Sequence, residues 1–467
     1  MKKRVGVIFV LVMAVCCFGL GMYACDGGSG GGGEATALEY TLSEDETYYT
    51  VKGLGNEKQR SFIIPSTYNG KPVREIGDYA FDGCSFLKAV TIPDSVTKIG
   101  KDAFLNCERV ISNENGVHYV GKWAVGCDRD VAEAELKSGT IGVAEKAFDK
   151  NVAKITISES VKYLGSDIVG YAPLKEIRVS EGNEFYSSID GVLYNKSQTE
   201  IICVPKSKSG EVVLPKGITV IGENQFAGGH LTSIKLPEGL VSIGNNAFEG
   251  AHLTEITIPD SVTSIGELSF SDCSALTTVT IGRGVANIGN NAFRWCTALK
   301  GVYITDLVTW CGIDFHGTDS NPLNYAESLY LNNQLVTELT IPDEITEISD
   351  CAFLACKSLT RVTIPNSVTV IGGEAFMFSG VRSVKLGNGI KEINGNTFRG
   401  CDSLESIEMG NGVKSIEQFA FEDCKVLTGI IFNGTKEEWK NIKKEDYWKY
   451  NASEFTIYCI DGTLTEI

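Results

Sequence analysis

The stretch TIPDSVTKIGKDAFLNC occupies residues 91–107, and TIPDSVTSIGELSFSDC occupies residues 257–273, with the same residue types at the same steps. Aligned on Ile-Gly-x-x-Ala-Phe, the phrase recurs along most of the chain. Its leading Ile, or the substitute, falls at Ile76, Ile99, Ile141, Leu164, Ile221, Ile243, Ile265, Ile288, Ile348, Ile371, Ile393 and Ile416. Where the series is uninterrupted the step is 22 or 23 residues. Such a period means stacked coils rather than separate globular domains. A coil this short cannot hide its own apolar residues. Its neighbours hide them, so the same positions must be apolar in every coil.

Within a coil the pieces are legible. LTSIKLP (231–237) has the spacing of a short strand, with Leu231, Ile234 and Leu236 inward and Lys235 outward. Proline then ends the strand, because it has no N–H for a sheet ladder. Eight of the eleven prolines sit directly after such an apolar residue, as Pro93, Pro237 and Pro259 do. Turn formers follow, then a second short extended piece such as LVSIG (240–244). NNAFEG (245–250) or KDAFLNC (101–107) is expected to make a helical turn that buries its Ala and Phe. The fold class is therefore a β-rich solenoid of about fourteen 22–23-residue coils. Irregular coils are expected at 108–140, 180–210 and 301–338, within a solenoid running from 76 to 431. Residues 35–75 read as an N-terminal cap and first coil, and 432–467 as a C-terminal capping coil.

The first 25 residues, MKKRVGVIFVLVMAVCCFGLGMYAC, read as an export signal. Lys2, Lys3 and Arg4 form the positive end, and an uncharged run extends from Val5 to Ala24. The MYAC ending resembles a bacterial lipoprotein cleavage box, which implies a signal peptide at 1–24, cleavage before Cys25 and lipid on that cysteine. Several acyl chains anchor firmly where one does not, at roughly 0.8 kcal/mol per buried methylene. The alternative is an uncleaved membrane helix, since about 20 apolar residues span a bilayer. Both place the body outside the cytoplasm, with a membrane partner at its N-terminus. DGGSGGGGE (26–34) follows an anchor rather than a strand, so with Cys25 it reads as a tether at 25–34 and not as a phosphate cradle.

Several phrases together resemble the BspA-like leucine-rich repeat family of bacterial surface proteins. They are IPDSVTxIGxxAFxxC, LEYTLSEDETYYTVKGLG (38–55), IIPSTYNGKPVREIGDYAF (63–81), GVHYVGKWAVGC (116–127), DGVLYNKSQTEIICVP (190–205) and FNGTKEEW…WKYNASEFTIYCIDG (432–462). The resemblance covers nearly everything after the tether. It implies a leucine-rich-repeat solenoid displayed at the cell surface, engaging host or matrix proteins, other cells or surface glycans. It carries over no catalytic residue, no cofactor and no fixed ligand-binding motif. The formal charge of −17 opposes a nucleic-acid partner, which needs a clustered basic surface.

Other residue patterns invite chemistry. Seven of the fifteen cysteines fall eight residues after the anchor Ile, at Cys84, Cys107, Cys273, Cys296, Cys356, Cys401 and Cys424. That register makes them one inward column of packed thiols. Disulfides between Cys84/Cys107, Cys273/Cys296 and Cys401/Cys424, or a metal site, are the alternatives. Stacked strands about 4.8 Å apart exceed the roughly 3.8 Å Cβ separation of a disulfide. His230 and His252 take equivalent places on neighbouring coils, as a surface turn or as a pH-sensing or metal-binding pair. Cys311 and His316 in WCGIDFHG have the types of a nucleophile and base without any catalytic signature around them. TDLVTWCGI (305–313) parallels GTKEEWKNI (434–442), and both read as short amphipathic helices with Trp310 and Trp439 inward.

The candidate binding residues are those between the last two inward positions of the main strand. They are Thr91, Thr156, Arg178, Lys235, Thr257, Thr280, Tyr330, Thr340, Thr363, Lys385 and Glu408. A concave face made of this column is the broad surface such solenoids use for macromolecules. An adhesin or interaction module is the leading expectation. A structural envelope scaffold is the second, and an enzyme using an inserted coil is the remote third.

Overall fold

A computed structural model describes residues 38–55, 60–149 and 151–466. The signal peptide, Cys25 and the tether expected over 1–34 lie outside the described residues. The remainder winds into a β-solenoid of about 18 turns of about 23 residues, with little helix. The expected fourteen, a count that included irregular coils, falls short; Leu329–Leu331, for one, adds a strand to the main sheet with no Ile anchor of its own.

The coil from Leu253 to Leu276 shows how the sequence builds one winding. Leu253, Ile256, Ile258, Val262, Ile265, Phe270, Cys273 and Leu276 all turn inward and are buried. Glu255–Thr257 forms the main strand, paired in parallel with Thr278–Thr280 of the next coil. After Pro259 the chain folds back, and the Val262 N–H donates to the Pro259 carbonyl at 3.1 Å. Ser264–Ile265 makes the second strand, paired with Ser242–Ile243 on one side and Asn287–Ile288 on the other. The Ile-Gly step has a steric cause. A Cβ on Gly266 would stand 2.6 Å from the Asn245 nitrogen of the preceding coil, a separation no side chain tolerates.

The piece expected to be a helical turn is not helical. Its residues three and seven after the anchor Ile are left-handed, as at Leu268 (φ 53°) and Asp272 (φ 59°), and an α-helix accepts neither. The turn instead bonds outward to the next coil. The N–H groups of Leu268, Phe270 and Asp272 donate to the carbonyls of Asn290, Ala292 and Arg294 at 2.8–3.1 Å. Asn246, Phe248 and Gly250 do the same to Glu267, Ser269 and Ser271. All three sides of the coil are thus stitched to their neighbours, and Asn recurs at the third position because it tolerates the left-handed region.

Stacking aligns like residues. Phe226, Phe248, Phe270 and Phe293 form one column of near-parallel rings with centroids 5.1–5.2 Å apart. Phe353, Phe376, Phe398 and Phe421 form a second, which Trp448 closes edge-on. One anchor shifts from its expected place. Ile141 is only half-buried, whereas Val143 is fully buried and pairs with Leu164. Val143 lies four residues before Ala147, as Ile243 lies four before Ala247, so the Ala-Phe spacing and not the Ile-Gly dipeptide sets the register.

The core divides into two clusters, Leu38–Leu193 and Val192–Ile457, which meet at the antiparallel hairpin Tyr186–Ile189/Val192–Asn195. At the N-terminal end the hairpin Leu38–Leu42/Tyr49–Leu54 carries a Tyr40, Tyr49, Tyr68 ring cluster. At the other end Phe455–Cys459 and Gly462–Glu466 pair antiparallel at the margin of the main sheet. Among the described residues no helix is long and apolar enough to cross a membrane.

Candidate binding face

Alternation along each main strand sends one residue into the core and its neighbours out. Strand register then decides which outward residues meet. From residue 338 onward it aligns Thr340, Thr363, Lys385, Glu408, Ile431 and Tyr458 on six successive strands. A second run aligns Thr257, Thr280, Tyr303 and Tyr330. The other expected residues stand apart. Thr91 pairs only with Ile63, Arg178 follows Thr156 in a three-stranded sheet, and Lys235 sits beside Val213. The column is therefore five ladders and not one unbroken sheet.

Its cations are largely answered by acids one strand away. Lys385 bonds Glu408 at 3.0 Å and Lys235 bonds Glu211 at 2.8 Å. Arg361 meets Glu338 and Arg382 meets Glu405 in the same manner. The Lys385 hydrogen bond holds the Glu408 carboxyl below its ordinary range, against a smaller opposing effect of burial. Lys235 is held above its ordinary value by its bond to Glu211. Such exposed pairs contribute little stability, but within each pair the charges cancel.

Sequence reasoning named Tyr330 but missed Tyr303, Ile63, Ile431 and Tyr458. Tyr303 stacks on Tyr330 with centroids 4.5 Å apart, and both lie against the open backbone of Gly301. Ile63, Ile431 and Tyr458 are 72%, 46% and 49% exposed. Ile431 lies in GIIF, where four non-polar residues in a row erase the alternation that would mark the outward one. Tyr458 carried a usable signal, since FTIYC alternates, but it sits in an irregular final strand.

The remaining candidates resolve into structure. The column cysteines Cys84, Cys107, Cys273, Cys296, Cys356, Cys401 and Cys424 form no disulfide. The thiols of Cys107, Cys273, Cys296, Cys401 and Cys424 each donate to a phenylalanine carbonyl one coil back, at 2.9–3.2 Å. His230 and His252 stack at 5.2 Å on the surface, and the described residues hold no cluster of three metal-ligating side chains. Cys311 is fully buried and its thiol is pushed up to about 12 by that burial, while His316 faces Asp314 at 3.5 Å. A thiol that burial keeps protonated is a poor nucleophile. Trp310 and Trp439 do lie inward on short helices, Leu307–Cys311 and Lys436–Asn441, each edge-on to a phenylalanine at 5.4 Å.

Comparison with known proteins follows the same lines. A family model for the BspA type leucine rich repeat region, in six copies, matches residues 74–198, 204–314 and 326–445. No curated protein matches. Among solved structures, the chain is similar to a leucine-rich repeat protein from Eubacterium ventriosum, at 19% identity over 90% of this chain and 94% of that one, TM-score 0.38. One from Bacteroides ovatus shares 22% identity over 90% and 98%, TM-score 0.38. A leucine rich cell surface protein from Faecalibacterium prausnitzii shares 21% over 90% and 99%, TM-score 0.33.

Proposed function

The chain belongs to the BspA-type leucine-rich repeat family, and from that premise we propose that it is a surface-displayed, lipid-anchored binding protein. It acts as an adhesin or macromolecular interaction module without catalysis or cofactor. Its partners are host or matrix proteins, other cells or surface glycans, met through the outward face of the main sheet. One observation carries the reading. Six outward residues from Thr340 to Tyr458 stand in register on consecutive strands, and packing uses only the opposite face of those strands. The mixture of ion pairs, threonine hydroxyls and exposed Ile431 and Tyr458 suits a broad contact. Anchoring at Cys25 rests on the charged, uncharged and MYAC segments of the first 25 residues.

The test is saturable binding of the purified chain to cells and to matrix-protein surfaces. Lys385→Glu and Lys235→Glu should weaken binding about tenfold or more, and Tyr458→Ser should add to the loss. Saturable binding that none of these substitutions changes would remove the face from consideration. Absence of any saturable binding would favour an envelope scaffold. Anchoring is checked separately, by incorporation of labelled fatty acid that Cys25→Ala abolishes.

A further inference from the structure

The main sheet is interrupted after the strand Glu176–Val179, and the next parallel pair begins at Ser209–Val213. A hairpin tip fills the place of the absent neighbour. The Ile177 N–H donates to the Gly191 carbonyl at 2.9 Å, and the Val179 N–H to the Ser188 hydroxyl at 3.0 Å. Gly191 is required there, because it turns with φ 80° and a Cβ on it would stand 3.2 Å from the Glu176 Cα. The tip and Lys208 wall an open cleft of about 460 Å³ on the outward side of the sheet. That volume lies within the range of small-ligand sites.

The cleft is lined by more cations, Lys175, Arg178 and Lys208, than acids, Glu176 and Asp190. On other strands of the face Lys235 and Lys385 each meet an acid on the adjacent strand. Here Arg178 turns to Glu176 on its own strand at 2.6 Å, and Lys154 also leans on Glu176. Lys175 and Lys208 line the cleft with no ion-pair partner among the described residues. The other lining groups are the Asp190 carboxylate and the Ser188 hydroxyl, both suited to hydroxyl-bearing ligands, and the cleft has no aromatic anchor of the kind protein partners need.

We propose that this cleft binds a carboxylated saccharide, its carboxylate held by Lys175 and Lys208 and its ring hydroxyls by Asp190 and Ser188. The proposal rests on the reading of the outward face as the binding face and names the ligand class that one part of it takes. Calorimetric titration of the full chain with a uronic-acid tetrasaccharide tests it, beside the methyl-ester form of the sugar and a tetraglutamate peptide. The acid form should bind with an affinity that falls with salt. Lys175→Gln, Lys208→Gln and esterification should each weaken it about tenfold. Both variants replace surface residues, and unchanged circular dichroism shows that they fold. Equal affinity for the ester, unchanged affinity in both variants, or equally tight tetraglutamate binding would overturn the saccharide assignment. If the sugar fails while Lys235→Glu and Lys385→Glu still reduce binding to cells, the cleft falls and the face stands. If the sugar binds and the Gln variants lose it while cells are never bound, the cleft stands and the adhesin reading falls.

Discussion

Seven buried thiols make the fold sensitive to alkali in a way that can be worked out beforehand. Burial pushes Cys107, Cys273, Cys311, Cys351 and Cys401 up to about 12 and also raises Cys296 and Cys424 well above the ordinary value of 9.0. Below pH 9 these groups are protonated in folded and unfolded chains alike and leave stability unchanged. Above it the unfolded chain releases protons that the folded chain keeps, so stability falls as pH rises towards the folded values. Each unit of pH in that window removes about 1.4 kcal/mol per thiol, on the order of 10 kcal/mol for seven. A typical whole-domain stability is about 5–15 kcal/mol, so coils carrying these residues should open near pH 10. Thermal melts followed by circular dichroism between pH 7.5 and 10.5 give the slope, and thiolate absorbance shows when the thiols ionise. Cys273→Ala should flatten the slope by about one seventh while lowering stability at pH 7. The reasoning is refuted if the folded chain titrates its thiols near pH 9. It is also refuted if stability does not change across the window, or if fewer free thiols are counted after denaturation without reductant.

Three further substitutions probe the stacking itself. Gly266→Ala puts a Cβ 2.6 Å from the Asn245 nitrogen and should cost about 1–3 kcal/mol in denaturant unfolding, where no loss would mean the coils are not in close contact. Phe270→Ala removes a buried ring stacked between Phe248 and Phe293 and should cost about 3–5 kcal/mol, with limited proteolysis appearing first in the adjacent coils. Asn183→Leu strips a fully buried amide that donates to the Ser158 and Val161 carbonyls and accepts from the Phe185 and Tyr186 N–H groups. Left unpaired, those groups should cost about 3 kcal/mol or more by thermal melting.

The winding was legible because stacking imposes the same demand on every coil. Ile265, Phe270 and Cys273 have counterparts 22 or 23 residues away, and inspection finds them. What stacking does not repeat was read poorly. Ile141 drew the eye as an anchor although Val143 holds the place, because the dipeptide Ile-Gly can occur outside its register. The turn after the anchor looked helical since AFxxC suits a helix face, yet the left-handed residues there are fixed by bonds to the next coil, which a local pattern does not record. The cysteine column was read as apolar filling. The structure adds that five of its thiols complete a carbonyl one coil back, which bears on why cysteine rather than alanine recurs.

The same logic explains why the binding face was only partly visible. An inward residue answers to its neighbours in every coil, so its identity is constrained and repeats. An outward residue answers to a partner elsewhere and is free to change from strand to strand, as Thr363, Lys385, Glu408, Ile431 and Tyr458 do along one ladder. Individuality on that face is therefore where recognition can be written, and departures from the repeat carry more information than the repeat. The cleft beside Arg178 is an extreme case. A hairpin outside the regular repeat interrupts the ladder, and two lysines with no ion-pair partner among the described residues line the gap. If Lys175 and Lys208 prove indifferent to every anionic ligand, irregular coils lose this claim to function and become devices of packing alone.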